Sequence, residues 1–336
     1  MSTQSFRTAI SAANTNTALK QAEPAYVLAI DIGGTNLRLA LADMDGAIKA
    51  RIAYSTIGMS QAQAVVDKIL HGLQSLQNEV SAQPGSLKAV AAGAPGITDA
   101  DTGLVIATSY LLGWRDVPLR KMLQDALRTP TAVDNDVNLA ALGENWRGAA
   151  AGVSSFAFLA LGTGVGAGLF LNGQLYRGHN WTAGEVGYLL VPGLPAVGAT
   201  RNCPGILESH IGGEGIREQW SSFAQRSNLP ADLTATQIFD HARDGDSTAR
   251  ELLHQTAALL ARAIYDINLV LDLPLFVLGG SIGMHEALYR EVLREFNALT
   301  PRTPPRILRS VCGADAQING ALRLALDTAR VSEPHQ

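Results

Sequence analysis

Two segments of the chain show the same order of apolar and polar positions. In each, an apolar run (26–30 or 156–161) ends in a glycine-rich turn, a second apolar run follows, and an Asp-Gly or Asn-Gly pair closes the unit at 45–46 or 172–173. This pattern is typical of two antiparallel strands followed by a tight hairpin turn. Because the units begin 130 residues apart (26 to 156), they predict a duplicated unit, with two unrelated hairpins as the alternative.

The rest of the chain alternates helical and strand patterns. Apolar residues recur with a period of about 3.6 after Ser60, which predicts an amphipathic helix that reaches Val80. Further helices are predicted at 139–147, 206–226, 235–242, 247–270, 285–299 and 318–330, and further strands at 37–42, 48–53, 87–92, 275–278 and 307–311. The sequence therefore predicts an α/β protein whose two halves each open with a hairpin.

Composition and charge favour a globular protein that acts on a small molecule. The 336 residues exceed one ordinary core, so two domains are expected. A formal net charge of −4 gives no reason to expect binding to nucleic acid or to an anionic membrane, and no apolar run is long enough to span a bilayer. The two cysteines, Cys203 and Cys312, cannot build a disulfide framework or a multi-thiolate zinc site, which suits the reducing cytoplasm.

Residues 1–24 differ from the rest of the chain in composition. They are small and polar, and they lack the apolar core of a signal peptide. We predict that they form a disordered tail, with a short docking helix as the alternative.

Glycine clusters follow three of the predicted strands. Glycine at a strand end lets the backbone approach a ligand and point N–H groups at phosphate oxygens. Neither a P-loop nor a dinucleotide-binding motif is present, because the first two glycine turns lead into strands rather than helices. The clusters are Gly33-Gly34, Gly162/Gly164/Gly166 and Gly279-Gly280.

Asp31 stands at the end of the first strand, directly before the first glycine pair. A carboxylate beside a phosphate-binding turn would repel the nucleotide unless a cation lay between them. We therefore predict that Asp31 binds Mg²⁺, directly or through water. The alternative is that Asp31 only fixes the turn by accepting backbone hydrogen bonds.

The run Val-Asp-Asn-Asp-Val-Asn at 133–138 places three polar side chains at another strand end, where α/β proteins bind ligands. A hydroxyl that accepts a phosphoryl group needs a carboxylate to orient it and take its proton. Asp136 is the predicted base, and a helix N-cap is its alternative role. Asn135 is predicted to bind a neighbouring hydroxyl, and Glu185 and Glu208 offer further polar groups for hydroxyls.

The ordered set of these motifs resembles the ROK family, which comprises sugar kinases and sugar-responsive repressors of the hexokinase and actin superfamily. The resemblance covers about residues 25 to 330. It includes the segments predicted to carry the base, to bind phosphate and to bind hydroxyls. The motifs are DIGGTNLR at 31–38, GAPG at 93–96, GW at 113–114, NDVNLAALGE at 135–144, LGTGVGAG at 161–168, GEVGY at 184–188, GILE at 205–208 and LGGS at 278–281.

The resemblance implies an α/β fold of two RNase H-like (actin-like ATPase) domains with a nucleotide cleft between them. The implied parts are a small domain at 25–134, completed by the C-terminal helix 318–330, and a larger domain at 135–317. It also implies Asp136 as the catalytic base and MgATP as the phosphoryl donor. The implied ATP-binding residues are Asp31, Gly33, Gly34, Thr35, Asn36, Gly162, Thr163, Gly164, Gly279 and Gly280, and the implied sugar-binding residues are Gly96, Asn135, Glu185, Tyr188 and Glu208.

The sequence departs from the family pattern on the acceptor side. Tyr188 replaces a histidine that is usual in the family, and the cysteine-rich zinc element shrinks to RNCPGILE with Cys203 alone, so we expect no structural zinc. Tyr110 stands where a sugar-contacting asparagine is usual. The phosphate-binding and base positions are unchanged.

These features lead to one expected function and two alternatives. The expected function is an ATP-dependent hexose kinase in the cytoplasm, with glucose as the first acceptor and a homodimer as the common assembly of the family. The alternatives are a kinase for an N-acylhexosamine, ketose or cyclitol, and a sugar-binding regulatory protein without turnover.

Overall fold

The computed structural model of the protein describes residues 24–332 except 60, 109, 110, 112, 195–203, 228 and 229. The strands are β1 Tyr26–Ile32, β2 Asn36–Asp43, β3 Ile48–Ser55, β4 Leu87–Ala94, β5 Ile97–Asp99, β6 Leu104–Ala107, β7 Arg115–Val117, β8 Thr131–Asn135, β9 Phe156–Leu161, β10 Val165–Leu171, β11 Gln174–Tyr176, β12 Leu275–Gly279 and β13 Arg306–Arg309. The helices are α1 Ala62–Glu79, α2 Leu119–Leu127, α3 Asp136–Arg147, α4 Glu208–Ile211, α5 Gly213–Ser227, α6 Ala235–Asp244, α7 Ser247–Leu271, α8 Gly280–Gly283, α9 Glu286–Ala298 and α10 Ala316–Ser332, with 3₁₀ turns at Val186–Tyr188 and Gly313–Asp315.

Two five-stranded sheets have the same topology. The first has the order β3-β2-β1-β4-β8 and the second β11-β10-β9-β12-β13. In each, three successive strands pair antiparallel as a meander, β1–β3 in the first sheet and β9–β11 in the second. Two further strands then extend the sheet in parallel to the first strand of that meander. The two predicted hairpin units therefore form equivalent parts of two similar sheets, which agrees with a duplicated unit.

Each sheet is covered on both faces, so its central strands are largely apolar. One face of the first sheet packs against α1 and α2, and its other face packs against α10. One face of the second sheet packs against α5, α6, α7 and α9, and its other face packs against α3. Since α3 and α10 also pack on each other, this helix pair joins the two sheets and brings their strand ends together.

The structure confirms the long predicted elements and corrects several of their limits. The predicted helix at 206–226 is two helices, α4 and α5, that meet at Gly212. Helix α3 begins at Asp136, three residues before the predicted start at 139, and α10 covers 316–332 rather than 318–330. The small sheet β5-β6-β7 was missing from the prediction, because its strands are only three or four residues long. The nine-residue helix α2 was also missed. The division of the chain between residues 134 and 135 stays a prediction. The predicted disordered tail, 1–24, lies outside the described residues except for Pro24.

None of the helices within the described ranges has the length and apolar character needed to cross a membrane.

Candidate active site

Three neighbouring strands of the first sheet end at one edge, and β1 brings the predicted site residue Asp31 there. Asp31 on β1 lies opposite Gly93 on β4, and Gly93 lies opposite Asp134 on β8. Helix α3 starts directly over this edge, because a Cβ atom built on Gly93 would lie 3.5 Å from Cα of Asp136. The structure therefore brings Asp31 and Asp136 together, although 104 residues separate them (136 minus 31, less one).

Asn135, rather than Asp136, caps helix α3. Its Oδ1 accepts hydrogen bonds from the N–H groups of Val137 at 2.8 Å and Asn138 at 3.0 Å, while its Nδ2 donates to the carbonyl oxygen of Gly96 at 2.9 Å. Asp136 is the first residue of the helix. The alternative role predicted for Asp136, the N-cap, is therefore wrong, and its carboxylate is not required for capping.

The carboxyl group of Asp136 has an altered acidity. Its pKa is raised to about 7, first by burial and then by the nearby charge of Asp31, with a smaller contribution from Glu185, while hydrogen bonds from the backbone N–H groups of Val137 and of Asp136 itself lower it. A pKa near neutrality suits a group that must both accept and release a proton at physiological pH. Because Asp31 belongs to the first sheet and Glu185 to the second half, the two halves meet at this carboxylate.

Asp31 forms an ion pair with Arg38, the residue directly opposite it on β2. Its Oδ2 lies 2.8 Å from Nε and 2.7 Å from an Nη of Arg38. Arg38 also donates to the carbonyl oxygen of Ala314, just before α10. Burial raises the pKa of Asp31, and the charge of Arg38 and its hydrogen bond lower it. Two neighbouring carboxylates, Asp31 and Asp136, are hard oxygen donors that suit Mg²⁺, but Arg38 already neutralises part of this charge.

The turn between β1 and β2 is closed by backbone hydrogen bonds. The N–H of Gly33 donates to the carbonyl oxygen of Asn36 at 2.8 Å, and the Thr56 hydroxyl donates to the carbonyl oxygen of Gly33 at 2.9 Å. Gly34 is half-buried, and Thr35 and Asn36 are exposed at its tip. The predicted phosphate-binding segment 33–36 is thus a hydrogen-bonded, accessible hairpin turn.

The second sheet presents two glycine turns side by side. The turn after β9 is fixed by the Gly162 N–H, which donates to the carbonyl oxygen of Gly164 at 3.0 Å, and Gly213 at the start of α5 donates to Gly162 at 2.9 Å. Gly280 follows β12 with a φ of +78°. A cavity of about 230 Å³ lies between them, and its lining includes Gly162, Thr163, Gly213, Thr234, Thr236 and Ser281.

The predicted acceptor-side residues of the second half also lie together. The carbonyl oxygen of Gly184, next to Glu185, accepts a hydrogen bond from the Ala167 N–H on β10 at 2.7 Å. Oε2 of Glu208 accepts the Val165 N–H at 2.7 Å, so this carboxylate also holds the turn before β10. Burial, and then the charge of Glu208, raise the pKa of Glu185. Tyr188 ends the 3₁₀ turn and is 36% exposed.

An ion pair that was not predicted from the sequence lies beneath the predicted base. Asp134 is 1% exposed, and its Oδ2 accepts hydrogen bonds from Nε and an Nη of Arg177 at 3.0 and 2.6 Å. The run at 133–138 drew attention to Asp134 but gave it no partner. A buried carboxylate requires a counter-charge, and this was the available signal.

Two residues of the predicted acceptor side, Tyr110 and Cys203, lie outside the described residues. Within the described part of the chain, one group of three potential metal ligands converges, formed by His254, Glu291 and Glu295. The Arg294 guanidinium already contacts all three side chains. A cavity of about 820 Å³ includes His254 and Glu291 in its lining and shares no residue with the predicted site segments described above. The expected lack of zinc stays a prediction.

Comparison with known proteins identifies the family. The sequence model of the ROK family matches residues 27–328. Glucokinase of Halalkalibacterium halodurans is 31% identical over 285 residues, which cover 81% of this chain and 86% of that protein. N-acetylmannosamine kinase of Escherichia coli is 34% identical over 301 residues, which cover 89% of this chain and 98% of that protein. The chain belongs to the ROK family, and it is related over most of its length to kinases of sugars.

A solved relative extends the likeness to the fold. The crystal structure of a ROK family glucokinase from Streptomyces griseus, in complex with glucose and AMPPNP, superposes with a TM-score of 0.77 at 25% identity. The superposition covers 90% of this chain and 99% of the glucokinase. The predicted fold class, α/β with two RNase H-like halves of the actin-like ATPase type, is thereby confirmed.

Proposed function

We propose that this protein is an ATP-dependent sugar kinase that transfers the γ-phosphoryl group of MgATP to a hexose hydroxyl, with D-glucose as the preferred acceptor. The observation that carries the proposal is the position of Asp136. Its carboxylate lies at the start of α3, above the strand ends of the first sheet, and is close enough to Asp31 and Glu185 for their charges to raise its pKa. A glycine turn follows the first strand of each sheet, at 33–34 after β1 and at 162–164 after β9.

The glycine turns of the two sheets are where the phosphoryl donor, ATP, would bind. Backbone N–H groups in the segments 33–36 and 162–164 would hold the β- and γ-phosphates, and the cavity beside Gly279-Gly280 would hold the adenosine. The Mg²⁺ that accompanies ATP as part of the substrate would neutralise charge between the phosphates. Asp31 would orient this ion through water, since Arg38 already pairs with its Oδ2. The glucokinase solved with an ATP analogue supports the choice of nucleotide.

The reaction is an in-line displacement. Asn135, Glu185 and Glu208 would hold neighbouring hydroxyls of the sugar. The acceptor hydroxyl passes its proton to a carboxylate oxygen of Asp136 as its own oxygen bonds to the γ-phosphorus. The bond between that phosphorus and the β,γ-bridging oxygen breaks, and MgADP leaves. The residues contribute mainly by positioning the reactants and neutralising charge, and Asp136 returns its proton to solvent afterwards.

Release of ADP, measured with a panel of acceptors, tests the function and its specificity. The panel contains glucose, mannose, N-acetylmannosamine, N-acetylglucosamine, fructose and myo-inositol, each with MgATP. We expect glucose to give the highest kcat/KM, because two relatives of this chain are glucokinases. N-acetylmannosamine is the principal competitor, given the second relative. A higher kcat/KM for another acceptor would replace glucose and leave the reaction type standing.

The same samples separate a kinase from a sugar-binding regulator. Titration calorimetry with glucose and with N-acetylmannosamine reports binding without catalysis. Binding of either sugar with no ADP release from any acceptor would refute the kinase and favour the regulator. Turnover of any acceptor above the rate of ATP hydrolysis without sugar would refute the regulator.

Replacing Gly280 by alanine should weaken nucleotide binding. At a φ of +78°, a Cβ atom on this residue would lie 2.2 Å from the carbonyl oxygen of Leu161, so the turn beside the proposed adenosine site must move. We expect KM for MgATP to rise at least tenfold, while KM for the sugar changes less than threefold. Gly173→Ala is the matched control, because Gly173 has a φ of +83° and nothing within 4 Å of its Cβ position. Equal effects of the two variants on KM for MgATP would contradict the assignment.

Several related expectations are proposals of the same kind. A cytoplasmic location follows from the use of only two cysteines in a chain of 336 residues. The proposals that the protein lacks structural zinc and forms a homodimer rest on the family resemblance and on the departures from it. Elemental analysis and sedimentation of the purified protein test these two.

A further inference from the structure

Asp134 lies at the centre of a buried polar cluster below the proposed base. Its Oδ2 accepts two hydrogen bonds from Arg177, and its Oδ1 accepts the Asn135 N–H at 2.8 Å and Nδ2 of Asn138 at 3.2 Å. Both carboxylate oxygens are therefore used, and the residue is 1% exposed. Since Asn135 and Asp136 follow directly in the chain, the orientation of Asp134 sets the backbone position of the residues that cap α3 and carry the base.

Arg177 comes from the other half of the molecule. It follows β11 of the second sheet, and its side chain crosses to β8 of the first. Its carbonyl oxygen accepts the Ala183 N–H at 3.1 Å, which holds the segment that leads to Gly184 and Glu185. One residue is thus bonded through its side chain to the segment before the base and through its backbone to the segment before a proposed sugar-binding glutamate.

We propose that Arg177 is a positioning residue that fixes the spacing between Asp136 and Glu185, and so shapes the acceptor side of the site. This inference rests on the proposed function. The hydrogen bonds of the Arg177 side chain go to Asp134 and to the carbonyl oxygen of Leu175, which lie outside the phosphate-side segments 33–36, 162–164 and 279–280. Loss of Arg177 should therefore affect the sugar and the chemical step rather than the nucleotide.

The planar guanidinium is needed for this arrangement. It donates from two nitrogens to one oxygen of Asp134 and approaches the carbonyl oxygen of Leu175 at 3.4 Å. A lysine would keep the positive charge but could not reproduce this fork of donors. A methionine would leave the buried carboxylate without its counter-charge, which is a strongly destabilising change in the interior.

Steady-state kinetics of Arg177→Lys and Arg177→Met, with glucose and with N-acetylmannosamine, test the proposal. A displacement of reacting groups by about 1 Å can cost about 10²-fold in rate. For Arg177→Met we expect kcat/KM for the sugar to fall about 10²-fold, divided between a lower kcat and a higher KM, with KM for MgATP within threefold of wild type. Arg177→Lys should lose about tenfold. Arg323→Met is the matched control, because Arg323 pairs with Asp327 on the partly exposed face of α10. It should leave kcat, KM for the sugar and KM for MgATP within twofold of wild type.

Substitution of Asp134, the ion-pair partner of Arg177, distinguishes a positioning role from a general loss of stability. If Arg177 acts through Asp134, Asp134→Asn should lower kcat/KM for the sugar, and the double variant with Arg177→Met should lose less than the product of the two single effects. A lower Tm for Arg177→Met with unchanged sugar constants would overturn the proposal, as would equal losses for sugar and MgATP. If Arg177→Met does not fold, Arg177→Lys and Asp134→Asn are judged by the same criteria.

Failure of the proposed function would show separately, in the wild-type chain. A wild type that binds glucose or N-acetylmannosamine in the calorimeter but releases no ADP is not a kinase. In that case Arg177→Lys should still weaken binding of that sugar about tenfold if Arg177 positions the acceptor side. An unchanged affinity would overturn the positioning role whatever the reaction.

Discussion

Replacing Asp136 by asparagine should lower kcat by about 10²- to 10⁴-fold, which is the range for loss of a general base. Asparagine has nearly the same size and fits the first turn of α3, but it cannot take the proton of the acceptor hydroxyl. Sugar affinity should persist, because Asn135, Glu185 and Glu208 are retained. Release of ADP under saturating glucose and MgATP gives kcat, and calorimetry with glucose gives the affinity.

The control for this prediction is Asp246→Asn. Asp246 caps α7, where its Oδ1 accepts the Ala249 N–H at 2.8 Å, so it is a second aspartate at the start of a helix. Asparagine caps helices as well as aspartate does, and we expect kcat to stay within twofold. Activity of Asp136→Asn within tenfold of wild type would remove Asp136 from the role of base.

The nearby capping residues show how far the sequence could specify the site. The sequence correctly predicted a helix start next to a cluster of polar side chains at 133–138. It could not decide between Asn135 and Asp136 as the cap, since both residue types suit that position. The choice depends on tertiary structure, because Nδ2 of Asn135 also donates to the carbonyl oxygen of Gly96, 39 positions earlier.

The ion pair between Asp134 and Arg177 was beyond prediction for a similar reason. A buried carboxylate implies a cationic partner, but the chain has 26 lysines and arginines. The two partners are 43 positions apart: Asp134 belongs to β8 of the first sheet, and Arg177 directly follows β11 of the second. The apolar runs, by contrast, predicted β1, β4, β9 and β12 well, because a strand buried on both faces must be apolar at every position.

The split between α4 and α5 shows the limit of periodicity. The apolar pattern continues from 206 to 226 and predicts one helix. The chain turns at Gly212, where a Cβ atom would lie 2.7 Å from the carbonyl oxygen of Glu208 and 3.1 Å from that of Thr163. The break lets α4 present Glu208 to the Val165 N–H while α5 starts against the turn at 162–163. Contacts with the site, rather than the local sequence, interrupt the helix.

The pH dependence of kcat/KM should show an acidic limb near pH 7. The pKa of Asp136 is raised to about 7 from 3.8, and a general base works only when it is ionised. Activity should therefore be full above pH 8 and fall about tenfold per pH unit below 7, or about 100-fold between pH 8 and pH 5. Since kcat/KM reports ionisations of the free enzyme, the limb should follow this pKa directly.

The effect of Asp136 protonation on folding stability distinguishes this loss of activity from acid unfolding. A carboxyl group whose pKa is higher in the folded protein binds its proton more tightly there, so its protonation favours the folded state as the pH falls from 7 towards 4. Loss of activity over this range should thus occur without a fall in Tm attributable to Asp136.

Variants of the two charged neighbours test the origin of the limb. Asp31→Asn and Glu185→Gln each remove a negative charge that raises the pKa of Asp136. Both should move the limb to lower pH, and Asp31→Asn should move it further, because Asp31 has the larger effect and its loss also leaves Arg38 without its carboxylate partner. Both variants will lower the rate itself, so the position of the limb, rather than its height, is the measurement. A limb that stays at the same pH in both variants would show that the ionisation belongs to another group.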